Sequence, residues 1–120
     1  MKKILLIEDD SFLIDIYTTK LKEAGFSVEV ASDGETAFEK LEEKKPDLVI
    51  LDIVLPQING WEVLRKIKSI PKLNDLKIII LSNLGQKEEV ARGMNLGVAK
   101  YLIKAHYTPS EVVKEIKEII

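Results

Sequence analysis

Residues 3–10 read KILLIEDD: four apolar residues, Ile4–Ile7, run straight into three adjacent carboxylates, Glu8, Asp9 and Asp10. An apolar run that does not alternate with polar residues suits a strand buried on both faces, the situation of a parallel sheet. Three like charges directly after it repel one another, so they need a compensating charge.

The same kind of run recurs at Leu48–Leu51, Ile78–Leu81 and Tyr101–Ile103, while Ser27–Ala31 alternates more and suits an outer strand. Between these runs lie segments with helical periodicity, roughly Ser11–Ala24, Gly34–Glu43, Gly60–Ser69, Lys87–Asn95 and Pro109–Ile119. In the first, Ile14, Tyr17, Leu21 and Ala24 share a face. Gly25 and Gly97 stand where helix C-termini favour a left-handed residue. Ser32-x-x-Glu35 and Thr108-Pro109-x-Glu111 have the form of capping boxes, the second with proline at the first helical position. The resulting βαβαβαβαβα order predicts an α/β fold with a parallel sheet and helices on both faces.

Composition narrows the function. A chain of 120 residues with 46% hydrophobic content can bury a core without staples, and reads as one domain over residues 1–120. Cysteine is absent, which excludes disulfides and thiolate metal sites and fits a reducing compartment. The opening MKKILLI has only four apolar residues before Glu8, short of the roughly 7–15 of a signal peptide, and no run reaches the roughly 20 of a membrane helix. The expectation is a cytoplasmic protein without membrane contact. Acids outnumber bases 20 to 18; without Glu8, Asp9, Asp10 and Asp52 the balance is 16 to 18. Mixed-sign stretches such as EKLEEKK are solvated helix faces, and no basic footprint for nucleic acid is present.

Asp52 follows LVIL directly, at the end of the third strand as Glu8–Asp10 are at the end of the first. Open α/β sheets bind ligands outside the carboxyl ends of their strands, where the strand order reverses. In a flavodoxin-like doubly wound (βα)5 three-layer sandwich with order 2-1-3-4-5, strands 1 and 3 are neighbours at that point. Ser82 follows the fourth strand and Lys104 the fifth, so three or four carboxylates, a hydroxyl and an ammonium reach one rim. Oxygen ligands without His or Cys select a hard cation, and few protein ligands with room for water and phosphate oxygens favour Mg2+ over Ca2+.

At these positions the chain resembles the response-regulator receiver family, over essentially its whole length. Glu8-Asp9, Asp52 in LDIVLP, Gly60 in INGWEVL, Ser82, and YLIK ending in Lys104 fall in the family's order and spacing. The resemblance implies a non-enzymatic switch in a two-component phosphorelay, phosphorylated on Asp52 by a sensor histidine kinase or phosphotransfer protein. It implies Mg2+ held by Glu8, Asp9, Asp52 and the Val54 backbone carbonyl, with Lys104 pairing with phosphate oxygens. Ser82 and Tyr101 would carry the change to the surface of the fourth helix, fifth strand and fifth helix, and so to a downstream protein target. Phosphorylation-dependent homodimerisation stays open.

Other readings compete at single positions. Asp10 either caps the first helix or joins the metal site. Trp61 reads as a half-exposed packing residue, and His106, in a loop, as chemically silent. The chain departs from the family pattern at Ala105, where proline is usual, at Ser82 in place of threonine, and at Asn83. A phosphorylation-independent pseudo-receiver keeps the fold without the chemistry. An aspartyl-nucleophile phosphohydrolase of the haloacid-dehalogenase type would need a second Asp where Val54 stands.

Overall fold

Successive residues in a strand point to opposite faces, and here both faces are apolar. A computed structural model describes all 120 residues. Its strands are β1 (Lys3–Ile7), β2 (Ser27–Ala31), β3 (Leu48–Leu51), β4 (Lys77–Ser82) and β5 (Lys100–Ile103). Its helices are α1 (Ser11–Glu23), α2 (Gly34–Glu43), α3 (Gly60–Ser69), α4 (Lys87–Asn95) and α5 (Pro109–Lys117), with a short 3-10 turn at Lys104–His106. The strands form one parallel sheet in the order β2-β1-β3-β4-β5, the flavodoxin-like arrangement the sequence predicts.

Leu5, Ile7, Val49, Leu51, Ile78 and Ile80 face one core, closed by Ala37 and Leu41 of α2, by Val63, Leu64 and Ile67 of α3, and by Val98 beyond α4. Ile4, Leu6, Leu48, Ile50, Ile79 and Leu81 face the other, closed by Tyr17 and Leu21 of α1 and by Val112 and Ile116 of α5. Each such fully buried Ile or Leu stabilises the fold by about 1.5–3 kcal/mol before the entropy of ordering is counted. β2 lies at an edge and is only half-covered, which explains its more alternating sequence.

The helix ends are set by local chemistry. Gly25 (φ 95°) and Gly97 (φ 89°) take the left-handed conformation that follows a helix. Thr108 and Glu111 form the reciprocal capping box at α5, with Pro109 at its start. At α2 the expectation fails by one residue: the cap is Asp33, which accepts from the Thr36 N–H at 2.7 Å, and Ser32 is not the capping residue. A carboxylate also suits the positive end of the helix dipole better than a hydroxyl does. Trp61 is a second correction, being buried at 5% exposure and not half-exposed.

Replacing Asp33 by Ala is expected to lower the thermal midpoint by a few degrees at neutral pH, whereas Ser32→Ala leaves it in place. The N–H bond to Thr36 holds the Asp33 carboxyl below its ordinary 3.8, so its contribution is full above that value and is lost as pH falls through the lower, folded value. Melting curves of both variants at neutral and strongly acid pH check this. An equal effect of the two at neutral pH would return the cap to Ser32.

Candidate functional site

Sheet register decides which side chains meet. Ile7 pairs with Leu51, so Glu8 and Asp52 leave the sheet side by side at the point where the strand order reverses. The backbone continues the ladder there: the Asp52 N–H donates to the Ile7 carbonyl and the Glu8 N–H to the Ala31 carbonyl, both at 3.0 Å. Ser82 pairs with Ile103, which brings Lys104 to the same end.

Lys104 reaches across to the acids. Its Nζ lies 2.6 Å from Glu8 Oε1 and 2.7 Å from Asp52 Oδ2. Glu8 is 2% exposed and Asp52 5%, so two buried carboxylates share one ammonium. Their other oxygens are also bound. Glu8 Oε2 accepts from the N–H groups of Asp9 and Asp10 at 3.1 and 3.2 Å, and Asp52 Oδ1 accepts from the Val54 N–H at 3.1 Å. Burial pushes the Glu8 carboxyl above its usual range against the pull of the Lys104 hydrogen bond, and the nearby Asp52 charge adds to the rise. Burial alone would depress the Lys104 ammonium, but its hydrogen bonds to Asp52 and Glu8 outweigh that and hold it above its ordinary value.

Asp9 is exposed, yet carboxylate oxygens of Glu8, Asp9 and Asp52 all lie within 4.8 Å of one another. Asp10 caps α1, accepting from the Phe12 and Leu13 N–H groups at 2.9 and 3.1 Å, so of its two open roles the structure shows the cap. Leu13, Val54 and Asn83 complete the pocket around the acids and Lys104. Val54 is 61% exposed at its mouth. Lys104 lies at the start of the 3-10 turn, and every peptide bond, Lys104–Ala105 included, is trans. Ala105 and His106 are exposed.

Ser82 and Tyr101 meet at Leu84. The fully buried Ser82 Oγ accepts from the Leu84 N–H at 3.3 Å, and the Tyr101 hydroxyl donates to the Leu84 carbonyl. Leu84 takes part through its backbone, so its position two residues beyond Ser82 marks it in the sequence but the link to Tyr101 leaves no side-chain signature. Burial pushes the Tyr101 hydroxyl up to about 12. Its ring rests on Gly93 of α4, where an added Cβ would come within 2.8 Å of the ring edge. Gly60 makes a similar approach to the acceptor: a Cβ there would lie 2.4 Å from the Asp52 carbonyl oxygen.

Residues 4–117 match the model of the response regulator receiver domain. The fold superposes on the Vibrio cholerae chemotaxis protein CheY4 with a TM-score of 0.92, at 24% identity, covering 100% of this chain and 99% of that one. It superposes on the Mn2+-bound form of the response regulator Rcp1 with a TM-score of 0.85, at 27% identity, covering 99% and 91%. The probable transcriptional regulator ycf29 of Porphyra purpurea is 36% identical over 117 residues, 98% of this chain and 56% of its own length. The chain spans about half the length of the curated relatives it matches. With the sheet order, the rim of acids and lysine, and a family match from the first strand into the last helix, the chain belongs to the response regulator receiver domain family.

Proposed function

We propose that Asp52 accepts a phosphoryl group from the phosphohistidine of a sensor histidine kinase or phosphotransfer protein. The surface of α4, β5 and α5 then changes for a downstream protein target. One observation carries this reading: a buried carboxylate stands at the floor of a polar pocket, oriented by Lys104 on one oxygen and the Val54 N–H on the other. In the transfer an Asp52 oxygen forms the new O–P bond, the P–N bond to the donor breaks, and the imidazole leaves with the bonding pair. Such reactions depend chiefly on positioning and on neutralising charge. Lys104 supplies one positive charge at the place where phosphoryl oxygens would arrive.

The donor set also fits a hard divalent cation. It is all oxygen, with the carboxylates of Glu8, Asp9 and Asp52 already grouped. These three, with the Val54 carbonyl, would hold Mg2+, which when bound neutralises phosphoryl charge. The manganese-bound form of Rcp1, a protein of the same fold, supports the reading. Ser82 and Tyr101 would carry the change through Leu84. No helix is long and apolar enough to cross a membrane, and our reading keeps the site of action in the cytoplasm.

Incubation with Mg2+ and a small acyl phosphate is expected to add the mass of one phosphoryl group at Asp52, lost on base treatment. Labelling that persists in Asp52→Asn would sink the assignment. A second expectation concerns the ammonium. In chelator at neutral pH, Lys104→Met leaves two buried carboxylates without a cation, and should cost about 3–5 kcal/mol in urea unfolding. Because the folded-state pKa of Glu8 is raised, its protonated form is favoured by folding, and the deficit should shrink as pH falls through that value. A loss below about 1 kcal/mol, the range of a surface pair, would show that the carboxylates do not need Lys104.

A further inference from the structure

Little apolar burial holds α4 to the body. Its single buried residue is Gly93, and its N-cap, Gln86, makes no side-chain capping bond. Gly93 touches the Tyr101 ring, as described. The residue before it, Arg92, lays its guanidinium over the Trp61 ring, 4.3 Å from the centroid. Trp61 is the second residue of α3 and is otherwise enclosed in the core. The first, Gly60, is pressed onto the acceptor's own backbone: a Cβ would lie 2.4 Å from the Asp52 carbonyl oxygen and 2.5 Å from Ile53 Cα. The Gly60 N–H also donates to the Ile53 carbonyl at 2.8 Å.

Two neighbouring residues of α4 therefore lead back to the acceptor pocket by different contacts. One series runs Gly93, Tyr101, Leu84, Ser82. The other runs Arg92, Trp61, Gly60, Asp52.

We infer that the Trp61–Arg92 contact is a second coupling between the acceptor and α4, separate from Ser82 and Tyr101. It rests on the phosphoryl-acceptor reading and deepens it. The physical reason is the absence of slack. Packed interiors transmit small displacements, and the Gly60 contact leaves no room for the Asp52–Ile53 backbone to shift without the first turn of α3. Trp61 moves with that turn. Arg92, itself exposed, lies over the ring of the buried Trp61, and the attraction between cation and ring makes it follow Trp61. An element as lightly anchored as α4 belongs to the low-stability end of the structure, where one contact can shift its position. Coupling between sites is reciprocal, so loosening Arg92 also weakens what the acceptor reports to α4.

Trp61 is the only tryptophan of the chain, so the emission comes from this ring, and the Arg92 variants read how much of its change belongs to the contact. The experiment adds Mg2+ and acetyl phosphate to the full chain, records the emission change, and measures phosphoryl gain by intact mass in the same samples. The change is expressed per phosphoryl group gained, in wild type and in Arg92→Gln, Arg92→Lys and Tyr101→Ala. Wild type is expected to show a shift. Arg92→Gln should lose more than half of it, Arg92→Lys should recover most of it, and Tyr101→Ala should retain it. Amide exchange across α4 should respond to phosphorylation less in Arg92→Gln than in wild type, which a merely structural arginine would not produce. Phosphoryl gain without an emission shift in wild type overturns the coupling and leaves the acceptor reading intact. Loss of the shift in Tyr101→Ala, or its full retention in Arg92→Gln, also overturns the coupling. No phosphoryl gain overturns both.

Discussion

A single ammonium group sets the terms for the functional end of this protein. Lys104 stands between Glu8 and Asp52, and without it two carboxylates at the end of an apolar sheet would be desolvated with nothing to offset their repulsion. The pair it completes reaches further than three side chains. Glu8 spends its second oxygen on the N–H groups that lead into α1, and Asp52 spends its second on the loop that leads to α3. The ends of β1, β3 and β5 are thereby tied together across β4. Much of the geometry around the pocket follows from that ionic knot.

The central strands were legible because burial on both faces removes the usual alternation, and ILLI, LVIL and IIIL carry that mark plainly. Glu8, Asp52, Ser82 and Lys104 were legible for a related reason: a polar group directly after such a run must leave the sheet at its carboxyl end. What pairs with what was less visible. Lys104 could be assigned to the rim but not to two carboxylates at once, since that depends on the reach of its side chain over β4. At α2, Ser32 and Asp33 are both capable caps, and the choice is made by the path of the backbone out of β2, which residue spacing does not encode. Trp61 reads as half-exposed because it stands at a helix start, where a ring is usually covered on one side only. The residue that covers it, Arg92, belongs to another helix.

The loop after β4 shows how few parts a conformational link requires. Ser82 binds the N–H of Leu84 and Tyr101 binds its carbonyl, so one residue's backbone joins a buried hydroxyl to an aromatic ring on the neighbouring strand. The ring in turn meets α4 at a glycine, where there is no side chain to absorb its displacement. A helix docked in this way can be repositioned at small energetic cost, in contrast to α3, which places Val63, Leu64 and Ile67 wholly in the core.

The two-sided burial of the sheet has a consequence for folding fidelity. In a sheet with one wet face, a one-residue slip of a strand is punished at once, because it turns every apolar side chain outward. Here a slip of β3 would exchange Leu48 and Ile50 with Val49 and Leu51, and both faces would still be greasy. The hydrophobic pattern alone is a poor ruler. The groups at the strand ends supply the missing graduation, since a slip in one direction drags the Asp52 carboxylate into the ladder away from Lys104, and a slip in the other lifts a leucine into an acidic pocket. The residues that form the pocket thus also act as register marks for the sheet beneath it, and selection for the one tends to preserve the other.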